Sequence, residues 1–210
     1  MRRAHPHLRL KLVLSLLVLS LTFLFPLYSS CHVSSSGAAL DLSGKAVDPL
    51  KASAGKVVVL IFVRTDCPIS NRYAPAIQRI IDKYVRAADA GADNSRKVAF
   101  WLVYPDKGET AVMIRKHDAE YGYMISALRD TEHALVRESQ VKITPEVAVF
   151  DASERLVYHG RIDNWYVDFG RARSVATTHE LDDAIQAALA GRLPSVRVTD
   201  AIGCYISDLE

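Results

Sequence analysis

The stretch Val57–Val63 (VVVLIFV) runs into Arg64-Thr65-Asp66-Cys67-Pro68-Ile69-Ser70-Asn71. An apolar run of this length without alternation suits a central strand covered on both faces. A short polar turn ends it, a cysteine follows, and an amphipathic pattern begins at once, with Ile77, Ile80, Ile81, Tyr84 and Val85 recurring at helical spacing. A strand that delivers a cysteine to a helix N-terminus makes a reactive thiol. The helix dipole and the free first N–H groups favour thiolate over thiol. Pro68 suits the first helical position, where its missing N–H would be unpaired anyway. Ser70 and Asn71 read as helix-start residues that satisfy backbone donors.

Downstream, Val98–Tyr104 (VAFWLVY) reads as a second buried strand and Glu109–Tyr121 as a helix. Tyr123–Leu128 is a short strand candidate, and Asp130-Thr131-Glu132 looks like a cap before a short helix through Val136. Val141–Phe150 (VKITPEVAVF) is the next strand, interrupted by Pro145, and Leu156–Ile162 is its hairpin partner. His179–Ala190 is the last helix, stopped at Gly191. Strand, helix, strand, helix, then a hairpin and a closing helix predicts an α/β layer structure with a central mixed sheet flanked by helices. That order is the order of the thioredoxin fold. The predicted division is 1–31 targeting segment, 32–55 linker leading into the domain, 56–191 thioredoxin-like domain, and 192–210 tail carrying Cys204.

Ile143-Thr144-Pro145 is the second informative stretch. A proline inside a run that otherwise reads as an internal strand is an anomaly. It makes sense where the bond before it is cis and the strand's first residue faces a cleft. In a thioredoxin fold such a proline loop lies against the cysteine turn. Thr65, Pro68, Ser70, Thr144 and Pro145 are therefore the candidate lining of a substrate cleft beside Cys67.

The formal charge of +2 on 210 residues misleads, because Arg2, Arg3, Arg9 and Lys11 precede the first carboxylate, Asp41. Without those four, 22 basic residues face 24 acidic ones, which argues against a nucleic-acid partner. The basic N-terminus leads into the apolar run Leu12–Leu27 and then into small polar residues, the order of a secretory signal. At 16 residues the run is shorter than the roughly 20 of a stable span. A cleaved signal, a lipoprotein signal ending at Cys31 and a retained membrane anchor all remain open. All three place the domain outside the cytoplasm, in the periplasm or cell envelope.

Three cysteines, Cys31, Cys67 and Cys204, are too few for a disulfide scaffold and lack zinc-site spacing. Ser70 stands where a dithiol site would carry its second cysteine, so an adduct on Cys67 needs a thiol from elsewhere. Cys204, a second protein and a small thiol are the candidates. Among the seven histidines, His117, His133, His159 and His179 share no metal-site spacing, and no cofactor is expected.

Taken together, VVLIFVRTDCPISNRYAP, FWLVYPD, TPEVAVFD followed by LVYHGRID, and the closing IGCYI resemble the redoxin branch of the thioredoxin superfamily. More narrowly they resemble the peroxiredoxin-like proteins, related to alkyl hydroperoxide reductase, that carry a Gly-Cys-x-Ile tail. The resemblance spans about Lys56 to Ile206. It implies a thioredoxin fold with Cys67 at the peroxidatic position and Pro145 as the fold's proline. Two positions depart from the peroxiredoxin pattern: Arg64 replaces the hydroxyl residue three before the cysteine, and Leu60 replaces the proline seven before it. Arg64 and Arg161 are candidates to lower the pKa of Cys67 by Coulomb attraction, with Asp66 opposing.

The function expected is a thiol-dependent oxidoreductase that reduces a disulfide or a peroxide through Cys67, with Cys204 or an external thiol as resolver. Its partner would be a thiol or disulfide protein or a small thiol. Two other classes remain: a copper-binding protein using Cys67, Cys204 and a histidine, and a thioredoxin-fold module that binds partners without turnover.

Overall fold

The structure is a computed structural model and describes residues 38–85, 97–207 and 209. The apolar run becomes strand β3, and the elements before it are β1 (Ala39–Asp41), β2 (Ala46–Val47) and a helical turn, α1 (Pro49–Ala52). Then follow β3 (Val57–Phe62), α2 (Pro68–Val85), β4 (Val98–Tyr104), α3 (Ala111–Tyr121), β5 (Ser126–Arg129) and α4 (Ala134–Ser139). The second half contains β6 (Ile143–Thr144), β7 (Glu146–Phe150), β8 (Leu156–Gly160), β9 (Tyr166–Asp168), β10 (Arg171–Ala172), α5 (Glu180–Leu189) and β11 (Cys204–Tyr205).

Seven strands form one sheet in the order β2-β1-β5-β4-β3-β7-β8. β3, β4 and β5 are parallel, which the crossover helices α2 and α3 require, while β7, β8 and β1 run antiparallel to their neighbours. The absence of alternation in VVVLIF now has its reason, because both faces of β3 are covered. Val57, Val59 and Ile61 pack with Tyr73, Ile77 and Tyr84 of α2 and with Leu181 and Ile185 of α5. Val58, Leu60 and Phe62 pack on the other side with Leu50, Leu135, Val136 and Val141. The α/β class and the mixed sheet read from the sequence are present.

Local chemistry explains the helix ends. The Asp130 carboxylate accepts from the N–H groups of Ala134 and Val136, both at 2.8 Å, so the predicted cap is in place. Gly191, just past the C-cap Ala190, has φ +66°, which glycine adopts without penalty.

Three readings need correction. Residues 38–55 are not a linker: β1 pairs with β5 and extends the sheet, and Leu50 is buried. Strands of three and two residues are too short to show a period, so only the pairing reveals them. The tail is likewise part of the domain. The Arg197 carbonyl accepts from His159 N–H at 3.1 Å, Thr199 N–H donates to His159 O at 3.2 Å, and β11 pairs with β6. Val85, expected on the apolar face of its helix, is exposed, and in α3 Ile114 with His117 forms the buried side. The predicted targeting segment 1–31 lies outside the described residues, as do residues 90–95, whose Ala-Gly-Ala-Asp-Asn-Ser sequence reads as a loop. Among the described residues no helix is long and apolar enough to cross a membrane.

Gly160 is one of two points where the tail approaches the domain too closely for a side chain, Gly203 being the other. The φ of Gly160 is +141°, and a Cβ there would overlap the hydroxyl and carbonyl oxygens of Thr199. We expect Gly160→Ala to cost about 1–3 kcal/mol, as overpacking of a closed site does. Urea unfolding should show a lower midpoint with an unchanged slope.

Candidate active site

Cys67 sits between the last turn after β3 and the first residue of α2, with Pro68 at the helix start. Its carbonyl accepts from Asn71 N–H at 3.0 Å, which places the sulfur at the helix N-terminus. The residue is 0% exposed. Its thiol donates to the carbonyl oxygen of Thr144 at 3.1 Å, and its sulfur accepts from Ser70 N–H at 3.5 Å. The Thr144-Pro145 bond is cis, as the sequence suggested, and both residues are buried. The Cys67 turn and the proline loop, 77 residues apart, thus meet through one backbone carbonyl.

Cys204 comes to the same place. In the β11–β6 pair it stands opposite Thr144, and Tyr205 stands opposite Ile143. The Thr144 hydroxyl donates to Cys204 O at 3.3 Å, and Ile206 N–H donates to Lys142 O at 2.9 Å. Gly203 lies so close to Thr144 that any Cβ would overlap the Thr144 carbonyl. Both cysteines are free thiols, Cys67 buried and Cys204 partly exposed.

Their acidities are pushed apart. Burial alone would raise Cys67. Donation from the Cys204 thiol and from Ser70 N–H outweighs it and leaves the Cys67 pKa below the ordinary thiol value. Cys204 is pushed up to about 12, first by burial and then by its hydrogen bond to Cys67 and the repulsion of the Cys67 anion. Cys67 is therefore the more acidic of the two thiols.

The arginines expected to lower Cys67 serve other partners. Arg64 pairs with Asp66 and Asp106, each at 3.1 Å. Arg161 pairs with Glu180. The capping role expected of Ser70 and Asn71 is also absent. The Ser70 hydroxyl is buried with no hydrogen-bond partner among the described residues. Asn71 instead donates to Thr65 O at 3.1 Å and faces His117 Nε2 at 2.8 Å. Thr65 and Pro68 lie on the turn itself, half-buried and exposed.

Two carboxylates missed by the sequence reading brace this site. Glu109 is 4% exposed and accepts from Thr65 N–H at 2.6 Å; burial raises its pKa, opposed by that bond. Glu146 accepts from the N–H groups of Lys142 and Ile143 at 2.8 and 3.1 Å, fixing the loop before Pro145. A lone charge heading the apolar strand EVAVF was the available signal for Glu146. His117 is held by Asn71 and lies 2.8 Å from the Tyr104 hydroxyl, while His133 Nε2 lies 2.9 Å from Pro105 O. Among the described residues no group of three His, Cys, Asp or Glu is placed to hold a metal ion, so the copper alternative finds no ligand set there.

No family model matches the sequence, and neither does any curated protein. Solved structures do. A hypothetical protein of Sinorhizobium meliloti superimposes with a TM-score of 0.63 at 21% identity, over 80% of this chain and 88% of that one. An uncharacterized conserved protein of Geobacillus kaustophilus gives 0.60 at 20% identity, over 81% of this chain and 87% of that one. With the strand order, the crossovers and the proline facing the cysteine turn, the fold is decided. It is thioredoxin-like. A secreted disulfide oxidoreductase of Mycobacterium tuberculosis matches at 0.47 and 18% identity, over 74% of this chain and 96% of that one, and at that score says nothing further about this chain.

The split acidities give a paired prediction, measured by thiolate ultraviolet absorbance against pH. Cys204→Ala should raise the Cys67 pKa, because the leading donor to its anion is gone. Cys67→Ala should lower the Cys204 pKa from about 12, because only burial and weaker charges still act on it.

Proposed function

We propose that the protein is an extracytoplasmic thiol-disulfide oxidoreductase in which Cys67 is the nucleophile and Cys204 the resolving thiol. The observation that carries this reading is the convergence of two thiols on one peptide unit: Cys67, at the start of α2, bonds to the Thr144 carbonyl, and Cys204 stands opposite Thr144 in the β11–β6 pair. As thiolate, Cys67 attacks one sulfur of a disulfide R–S–S–R′. A bond forms between Cys67 Sγ and that sulfur, and R′–S⁻ departs and takes up a proton.

The second step follows from the causes of the Cys204 shift. Once Cys67 is bound in a mixed disulfide it carries no charge, so it neither accepts the Cys204 hydrogen bond nor repels a Cys204 anion. Cys204 becomes easier to ionise at the moment its nucleophilicity is needed. It attacks Cys67 Sγ, R–S⁻ leaves with the proton that Cys204 gives up, and a Cys67–Cys204 disulfide remains. The substrate has gained two electrons and the protein has lost two. Two equivalents of external thiol, from a protein or a small molecule, restore the dithiol. The first attacks Cys204, the more exposed sulfur, and stays joined to it, while Cys67 departs as the more stable thiolate. The second attacks the outer sulfur of that mixed disulfide, leaves as the external disulfide and frees Cys204, which takes up a proton.

A disulfide is preferred over a peroxide as the oxidant. The position where a peroxiredoxin orients its peroxide with a hydroxyl holds Arg64, fixed between two aspartates. The basic and apolar N-terminal segment supports the location outside the cytoplasm and an attachment to the membrane where it is retained.

The test is non-reducing peptide mapping after exposure to one equivalent of a small disulfide. The wild type should give a Cys67–Cys204 link. Cys204→Ser should accumulate the mixed disulfide on Cys67, and Cys67→Ser should lose thiol-dependent turnover. Undiminished turnover in Cys67→Ser would sink the proposal.

A further inference from the structure

The tail closes the site as well as supplying Cys204, and this bears on what can oxidise Cys67. The Cys67 sulfur is 0% exposed, and Thr144, its acceptor, is also 0% exposed. The free edge of β6, beside the proline, is where an extended substrate segment would otherwise add by backbone pairing. Here that edge is already paired with β11. The tail is fastened on both sides of the crossing. Before it, Thr199 Oγ1 accepts from Arg161 N–H at 3.0 Å and lies 2.7 Å from the Tyr158 hydroxyl. After it, Ile206 is 5% exposed in the second core and donates to Lys142 O at 2.9 Å. Between these anchors Gly203 passes so near the Thr144 carbonyl that no side chain fits.

We propose that residues 200–205 form a strap that restricts Cys67 to low-molecular-weight disulfides and excludes disulfides within folded proteins. The inference rests on the redox reading above. A disulfide carried on a protein loop would have to displace β11 to bring its sulfur to Cys67. A small disulfide needs only a local opening around Cys204, which is already partly exposed. Chemistry is the same for both, with Cys67 Sγ bonding to one substrate sulfur and the other leaving as thiolate. Access alone separates them.

The full chain can be tested in its reduced form with dithiodipyridine as the small disulfide and insulin as the protein disulfide. Wild type should react with the former and be slower with the latter by a factor of about 100 or more, since the strap must open fully. Gly203→Ala, which forces the strap off the Thr144 carbonyl, should gain about 10- to 100-fold with insulin, the opening expected from one overpacked contact. Its rate with dithiodipyridine should not rise, because moving Cys204 away takes a donor from the Cys67 anion while the small disulfide already had access. Equal rates for the two oxidants in the wild type, or the same acceleration of both by Gly203→Ala, would overturn the strap. Should Gly203→Ala not fold, alkylation of wild-type Cys67 decides the matter. Iodoacetamide should label it readily and a polyethylene-glycol maleimide should not, and comparable labelling by both would refute the size filter. Cys67→Ser separates the two ideas, because dithiodipyridine turnover that persists in it counts against the redox reading and not against the strap.

Discussion

One carbonyl group, that of Thr144, holds the site together. It accepts from the Cys67 thiol, and its peptide unit lies against Gly203 at van der Waals limits. The same residue pairs with Cys204 across β6 and β11. Three segments far apart in sequence therefore converge on one peptide unit whose position leaves little slack. Glu146 removes what slack there is, by taking up the N–H groups of Lys142 and Ile143 on the near side of the proline. A displaced Thr144 would misplace the Cys67 acceptor and the Cys204 partner together. The geometry of both sulfurs is thus one constraint.

The acidity of Cys67 follows from this placement and is set by hydrogen bonds rather than by a cation. Desolvation opposes the Cys67 anion, and hydrogen bonds have to overcome it. The donors are the Ser70 N–H at the start of α2 and the Cys204 thiol, so the helix and the tail each contribute. Arg64 is near enough to affect Cys204, but its charge is spent on Asp66 and Asp106. A thiolate supported by hydrogen bonds depends on the donor staying in place. A thiolate supported by an arginine would depend much less on local geometry. The acidity of Cys67 is for this reason coupled to the position of the tail.

Much of the fold was legible because its decisive signals are local. An apolar run without alternation, a cysteine at a helix start and a proline heading a strand each declare themselves within a few residues. The signals that failed are those whose meaning depends on a distant partner. β1 and β2 are strands only because β5 and its neighbours accept them. Asn71 looked like a generic cap, yet its side chain is taken by Thr65 and by His117 of α3. Arg64 and Arg161 looked like cations available to a thiolate, but sequence proximity does not reveal which carboxylates neutralise them. That the tail returns to β6 had one sequence trace, Gly203, whose need for closeness is visible only in three dimensions.

The serine at position 70 explains why so much structure is spent on the tail. A second cysteine one helical turn away would sit beside Cys67 without further arrangement, since the helix itself sets the distance. With Ser70 there, the partner thiol in the proposed reaction is Cys204, 137 residues on, and chain entropy would scatter a free tail. Two anchors offset that cost: the Thr199 bonds to β8 and its following turn, and the burial of Ile206. They leave only a few residues between them, so Cys204 has little choice of position. A tail held this firmly necessarily covers what it approaches. Supplying the second thiol from the C-terminus and shielding the first are consequences of the same two anchors.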